Sequence, residues 1–339
     1  MGRFLVSPSE LRTRRERCAP VVQSLAKIER QMVSRCNLCG SEQNAVIGYS
    51  DRYGLPIRTA MCTSCGLVYM MDRFTQDGYS EFYRDGAYRR ITSAFAGSVA
   101  TIEDLQADQA QYAKNLSRFL DGRLPARGNV RLLDVGGSSG EVALELVQRL
   151  GVVATVLDPS QEEIDAARKS GLNGVVGSAE TWDTDERFDI VMMCRTIEHL
   201  FDLRGTMEKI RRLLTPDGLF YCDFLDYMEL CRMTGHPQTV SKVDHCYWMT
   251  MATAPALFRS MGFDVVSLHF VPKPQHIGLL LRQCEAAAIQ PMTWPQAQPI
   301  LRDLQQIVTE WLREPEMPAD LSSRVKRKVR RLAKTAVGV

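Results

Sequence analysis

The chain has 339 residues, of which 45% are hydrophobic, 24% charged and 8% aromatic, and 42 Lys+Arg against 40 Asp+Glu leave a formal net charge of +2. This composition excludes a mainly disordered chain, which would have fewer apolar residues and a larger net charge, and it lacks the basic excess of a protein that coats a polyanion. It suits a globular protein with one large core and a smaller module, and it leaves ten cysteines to be placed.

Residues Met1 to Glu10 contain no apolar stretch of signal-peptide length, and no segment approaches the ~20 apolar residues of a membrane span. The expected location is therefore the cytoplasm. Thiols stay reduced there, so clustered cysteines point to metal or catalysis rather than to disulfides.

Ser7-Pro8-Ser9-Glu10 combines an N-cap, a proline at the first helical position and a capping-box glutamate, which predicts a helix running to about Val33. Its basic residues between Arg12 and Lys27 read as a solvated face. A cysteine-rich module spans residues 35–71. An aromatic segment over 72–103 carries Tyr79, Phe82, Tyr83, Tyr88 and Phe95, and Leu105 to Leu120 has helical spacing.

From Asn129 the pattern becomes apolar runs alternating with amphipathic segments, the signature of βα units and a mainly parallel sheet. Strands are predicted over Val130–Val135, Val152–Leu157, Gly174–Val176, Phe188–Cys194 and Gly218–Phe224. Ser160-Gln161-Glu162-Glu163 opens a helix between the second and third. Two further strands, Asp264–Phe270 and His276–Leu281, are joined by only Val271-Pro272-Lys273-Pro274-Gln275. A connection that short requires an antiparallel hairpin.

Cys36-Asn37-Leu38-Cys39 and Cys62-Thr63-Ser64-Cys65 are two CxxC knuckles, each followed by glycine (Gly40, Gly66). Four thiolates in two such pairs match a closed tetrahedral zinc site of the ribbon type. With four protein ligands no position remains for substrate, so the expected Zn2+ is structural. The other six cysteines (Cys18, Cys194, Cys222, Cys231, Cys246, Cys284) show no pairing and read as small buried hydrophobes.

Leu132-Leu133-Asp134-Val135-Gly136-Gly137-Ser138-Ser139-Gly140-Glu141 is a strand entering a glycine-rich turn and then a helix, which lets a ligand approach the backbone closely. A dinucleotide fingerprint would have glycines where Ser138 and Glu141 stand, and Glu141 would repel a pyrophosphate. A cationic or zwitterionic nucleoside suits the loop better. Asp158, followed by Pro159, ends the second strand, where an acid can accept ribose hydroxyls. Gly177-Ser178-Ala179-Glu180 closes the third strand, beside the expected adenine edge. The fourth strand, entered through Phe188-Asp189-Ile190-Val191, ends at Arg195-Thr196-Ile197-Glu198-His199-Leu200, and Leu214-Thr215-Pro216-Asp217-Gly218 feeds the fifth.

In order and spacing, this set resembles the class I S-adenosylmethionine-dependent methyltransferases over residues 104–284. With the cysteine module, Cys62-Thr63-Ser64-Cys65-Gly66-Leu67-Val68-Tyr69 and the tyrosines between Tyr79 and Tyr88, it is similar to the subset with an N-terminal zinc-binding domain. That subset includes C-methyltransferases of nucleotide-linked deoxysugars. The resemblance implies an α/β fold: a doubly wound, mostly parallel seven-stranded sheet with a terminal antiparallel hairpin, plus a small N-terminal zinc ribbon. It implies S-adenosylmethionine held by Asp134, Gly136, Gly137, Ser138, Gly140, Asp158, Pro159, Ser178, Ala179 and Arg195. It also implies an active site at Glu198-His199, walled by Tyr83 and Tyr88.

In that site His199 is the expected general base, with Glu198 orienting it or binding substrate, and His245 reaching the same cleft. The sugar enzymes carry a further sizeable domain, whereas only 55 residues follow Cys284. The expected acceptor is therefore a small sugar-like, glycan or natural-product molecule, a nucleotide-linked sugar among them, methylated on O, N or C. The alternatives are an RNA methyltransferase that docks substrate on the zinc module, and a non-catalytic cofactor-binding scaffold. The net charge and the absence of an N-P-P-Y-like motif weigh against a nucleic-acid substrate. The intact glycine loop and the Glu198-His199 pair weigh against the scaffold. The organisation expected is an N-terminal helix (1–34), the ribbon (35–71), the aromatic segment (72–103), the methyltransferase domain (104–284), and C-terminal helices (285–339) with the basic run Arg324 to Arg331, read as a solvated face.

Overall fold

The computed structural model describes residues 4–97, 102–125, 128–270, 275–288 and 294–313; the basic run at Arg324–Arg331 lies outside them. The N-terminal part runs α1 (Pro8–Leu25), β1 (Arg30–Met32), β2 (Asn44–Gly48), β3 (Thr59–Cys62), β4 (Val68–Met70), β5 (Asp72–Phe74), α2 (Gln76–Arg84), α3 (Ala87–Ala96) and α4 (Ile102–Leu120). The α/β part follows as β6 (Arg131–Val135), α5 (Glu141–Leu150), β7 (Val153–Asp158), α6 (Gln161–Lys169), β8 (Asn173–Val176), β9 (Phe188–Met193), a 3-10 turn (Ile197–His199) and α7 (Leu203–Leu213). It continues as β10 (Leu214–Leu225), α8 (Tyr227–Thr234), α9 (Pro237–Val240), β11 (Tyr247–Trp248), α10 (Ala254–Ser260), β12 (Phe263–Phe270), β13 (His276–Gln283) and α11 (Trp294–Leu312).

The main sheet has seven strands in the order β12-β13-β10-β9-β6-β7-β8. Strands β10, β9, β6, β7 and β8 are mutually parallel, and β13 runs antiparallel to both β10 and β12. The two-residue side-chain period of these strands builds two cores. Leu133, Val135, Val191, Met193, Phe220 and Leu279 face α7 and α10, together with cysteines of the knuckles. Leu132, Val156, Ile190, Met192, Tyr221 and Leu280 face α4, α5 and α6. Chain order reverses between β6 and β9, which opens a crevice at their carboxyl ends.

The first helix is shorter than its sequence pattern suggests. It starts at the expected cap, where Ser7 Oγ accepts from Glu10 N, but ends at Leu25. Residues 30–32 pair antiparallel with 72–74 instead (Gln31 opposite Arg73), a long-range partner that helix periodicity does not report. A second sheet, in the order β11-β4-β3-β2, carries the cysteine module, and its edge strand β11 comes from residues 247–248. None of the helices among the described residues is long and apolar enough to cross a membrane.

Candidate functional site

The crevice between β6 and β9 is a solvent-open cleft of about 410 Å³, lined by Gln109, Tyr112, Asp134, Gly136–Ser138, Glu141, Val142, Cys194 and Arg195. Its floor is the glycine loop. Gly136, Ser138 and Gly140 all take positive φ (70°, 53° and 84°), and Gly136 N donates to Leu157 O at 2.7 Å. A Cβ on Gly137 would stand 2.7 Å from Asp134 Oδ2, so only glycine leaves that carboxylate its room. Asp134 is 1% exposed and neither of its oxygens has a hydrogen-bond partner. Burial, reinforced by Asp158 and Asp223, pushes its carboxyl up to about 7. A buried carboxylate with both oxygens free at the wall of a cleft is a receptor for a cation.

Asp158, by contrast, has both oxygens engaged: Oδ2 accepts from Ser138 N at 3.0 Å and Oδ1 from Ser160 N at 2.9 Å. It braces the loop, and each oxygen keeps a further lone pair for a hydroxyl donor. Pro159 is exposed beside it, and Ser138 Oγ donates to Glu163 Oε2 at 2.9 Å. Ser178 is tied to Thr181 (Oγ to Oγ1, 3.0 Å) and Ala179 is buried, so their turn closes β8.

On the facing side Arg195 stands at φ 57°, its N donating to Asp223 Oδ1 at 2.5 Å and its guanidinium 4.9 Å from the centre of the Tyr112 ring. Asp223 Oδ2 also accepts from Tyr112 Oη at 2.5 Å and lies 2.9 Å from His276 Nε2. This buried carboxylate on β10 thus fixes one wall of the cleft. Sequence reading missed it; its sole signal is an acid within an otherwise apolar strand.

The segment after β9 carries the second cluster. Glu198 is buried, its Oε1 accepts from Leu225 N at 2.9 Å, and burial pushes it up to about 7. Its backbone oxygen accepts from Cys246 N at 2.8 Å. Glu198 therefore ties the turn to β10 and to the chain before β11. The carboxylate nearest the His199 ring is Asp244, with Oδ2 3.7 Å from Nδ1, and Tyr83 Oη is 3.3 Å from the same nitrogen. His245 packs edge-on against His199, ring centres 4.6 Å apart, so the structure brings the two predicted histidines together. Tyr88 lies 5.7 Å from Tyr83, ring to ring, and its ring faces Lys242 Nζ at 5.7 Å. Burial and the Lys242 ammonium lower His199, against the opposing pull of Asp244. Neither Asp244 nor Lys242 belongs to a motif, and only the fold exposes their proximity.

The four knuckle cysteines converge as expected. Cys36 and Cys65 Sγ are 3.6 Å apart, Cys39 and Cys62 Sγ 3.5 Å, and all four sulfurs lie within 4.8 Å of one another. No disulfide joins them. A zinc ion with Zn–S bonds of about 2.3 Å has tetrahedral edges of about 3.8 Å, so the set fits that metal. The knuckle docks on the chain that follows His199: Asn37 Nδ2 donates to Asp202 Oδ1 at 3.0 Å, Arg204 N to Asn37 Oδ1 at 3.1 Å, and Arg204 Nε to Leu38 O at 2.8 Å.

Residues 105–268 match the profile of a methyltransferase-domain family. The chain is 34% identical, over 29% of its length and 41% of the relative's, to a ubiquinone biosynthesis O-methyltransferase of Bradyrhizobium diazoefficiens. It is 26% identical, over 36% of its length and 49% of the relative's, to a 27-O-demethylrifamycin SV methyltransferase of Amycolatopsis mediterranei. The chain thus spans about half the length of the curated relatives it matches. Among solved structures it is similar to a 1,6-didemethyltoxoflavin-N1-methyltransferase of Burkholderia thailandensis (16% identity, 72% of this chain, all of that one, TM-score 0.46). Residues 105–268 are therefore a methyltransferase domain, and the seven-stranded sheet with its antiparallel hairpin and the glycine-loop cleft at the switch point give it the class I S-adenosylmethionine-dependent fold.

Proposed function

We propose that this chain transfers a methyl group from S-adenosylmethionine to a small acceptor, with His199 as general base. The observation that carries the reading is Asp134: a buried carboxylate with two free oxygens, beside a loop whose glycines leave no room for a Cβ, in a cleft that suits a cationic nucleoside. Asp134 would hold the positive end of the cofactor, the Gly136–Gly140 backbone would admit its close approach, and Asp158 would take the ribose hydroxyls. Ser178, Ala179 and Arg195 would flank it. When bound, the cofactor supplies an electrophilic methyl on a sulfonium, so the protein contributes alignment, dryness and a proton acceptor.

His199, lowered from its ordinary value, is neutral near pH 7 and can accept a proton from an acceptor hydroxyl. The names of the O-methyltransferase relatives favour a hydroxyl over nitrogen or carbon. Tyr83 and Tyr88 would wall an acceptor with a ring, of sugar-like or natural-product type. The cysteine set would hold a structural Zn2+. The test is turnover: the zinc-loaded chain, S-adenosylmethionine and a panel of hydroxylated rings and sugar nucleotides, read by mass spectrometry. One product gaining a single CH2, with loss of at least about 100-fold in His199→Ala, is expected. A His199→Ala variant of undiminished rate would remove His199 as the base.

A further inference from the structure

His199, Asp244 and His245 bring three potential ligand atoms within 4.8 Å of one another, a set that resembles a divalent-metal triad. The chain, however, supplies its own cation there. Lys242 Nζ lies 2.9 Å from Asp244 Oδ2 and 3.2 Å from His245 Nε2. An ammonium has only donors, so His245 Nε2 accepts and its ring proton sits on Nδ1.

We propose that Asp244 and Lys242 are positioning residues for His199: the carboxylate receives the charge of the imidazolium, and the ammonium shares that carboxylate so that His199 returns to its neutral form. This rests on the reading of His199 as base. Asp244 is fully buried and 3.7 Å from His199 Nδ1, close enough for a charge but too long for a hydrogen bond to the neutral ring. A proton on Nδ1, facing Asp244 and Tyr83 Oη, leaves Nε2 as the acceptor of a substrate proton.

In the transfer, the acceptor O–H proton passes to Nε2 and the oxygen pair forms the O–CH3 bond. The S–CH3 pair stays on sulfur, and the imidazolium later releases its proton to water. Asp244 favours the charged ring and Lys242 opposes it. The burial of Asp244 would raise its own carboxyl, but Lys242, His245 and His199 outweigh that and hold it below the usual carboxylate range. The other groups facing this set are Tyr83 of α2, Tyr88 of α3, Tyr53 and Cys246, which feel the charge of Asp244, and Arg52, whose charge acts on His245.

The test needs no acceptor and so is separate from the turnover assay. The full chain, with Cε1-labelled histidine, has five histidines to follow by NMR titration, and His199→Gln assigns the signal. Asp244→Asn is expected to move the His199 midpoint down by about one unit or more, and Lys242→Met to move it up by a similar amount. Opposite signs are the signature that a merely structural role would not produce. Should Asp244→Asn fail to fold, Lys242→Met decides alone, since Lys242 is 16% exposed. A downward or absent shift in Lys242→Met would overturn the proposal. So would broadening of the His199 and His245 signals by micromolar manganese chloride, because a metal would then occupy the position of the Lys242 ammonium.

Discussion

Asp134→Asn separates the chemistry of the cleft from its stability. In the folded chain the carboxyl is 1% exposed, has no hydrogen-bond partner and is pushed up to about 7 by burial and by Asp158 and Asp223. An ordinary aspartate titrates near 3.9, and each unit is worth about 1.4 kcal/mol, so an ionised Asp134 costs on the order of 4 kcal/mol at pH 8. Below about pH 4 the group is protonated in both folded and unfolded chains and adds nothing. As pH rises from there through 7 the unfolded chain ionises first, and stability is lost across that window. Asp134→Asn should therefore melt higher than the parent chain at pH 8 and equally at pH 4.

Cofactor affinity should move the other way. A charge-assisted hydrogen bond contributes about 1.5–3 kcal/mol, so the variant should bind S-adenosylmethionine about 10- to 150-fold more weakly near pH 7.5. The parent chain should release a proton on binding and bind roughly tenfold more weakly at about pH 6 than at about pH 7.5, a slope that the variant loses. Calorimetry in two buffers of different ionisation heat counts that proton. Equal affinity and equal pH slope in the two proteins would refute the assignment of Asp134 as the partner of the positive charge.

Removing the metal from the cysteine set, by chelation or by Cys62→Ser, should release about one zinc per chain and unfold the small sheet, because a structural zinc supplies much of such a module's folding free energy. Metal analysis together with fluorescence of Trp248, which pairs with Val68 in that sheet, follows this; retained fluorescence in metal-free protein would contradict it. Gly140→Ala adds a Cβ at φ 84° that would stand 2.5 Å from Leu172 Cδ1, so strain and overpacking should together cost about 2–4 kcal/mol in urea unfolding. A loss below about 1 kcal/mol would mean that the loop relaxes around a side chain.

The α/β half was legible because its elements are governed by local pattern. Phe188–Met193 is buried at every residue, as a central parallel strand requires, and apart from Asp189 reads directly as an apolar run. The short link before His276 demanded a hairpin, and Phe270 does pair antiparallel with Ile277. The knuckles were legible because two CxxC pairs of matched spacing predict convergence, and their four sulfurs do converge. Elements defined by distant partners were not. Arg30–Met32 continues a helical pattern in sequence and becomes a strand only because Asp72–Phe74 lies beside it. Strand β10 begins at Leu214, inside what the sequence offers as a turn, because Leu214 pairs with Phe188 before a bulge leads to Leu219. Asp223 is a single acid in an apolar strand and Asp244 a single acid between Lys242 and His245, and both gain their meaning from what a second segment brings to them.

The same dependence on distant partners explains why the cysteine module and the histidine-bearing segments belong to one structure. Tyr247 and Trp248, which follow His245 closely, complete the module's sheet by pairing with Tyr69 and Val68. The first knuckle caps the start of α7 through Asn37 and Arg204, only a few residues beyond His199. Arg73 joins the two contacts: its guanidinium donates to Phe201 O at 2.9 Å and to Tyr247 Oη at 3.0 Å, and stacks 4.1 Å from the Phe201 ring. Both histidine-bearing segments are thus anchored to one small sheet. A sheet of four short strands has too little core to be rigid alone, and the cysteine set lies where a metal would stiffen it. A metal held there would act on the chemistry indirectly: it would fix the separation of His199 from Lys242 and Asp244, and with it the balance of charge on the proposed base.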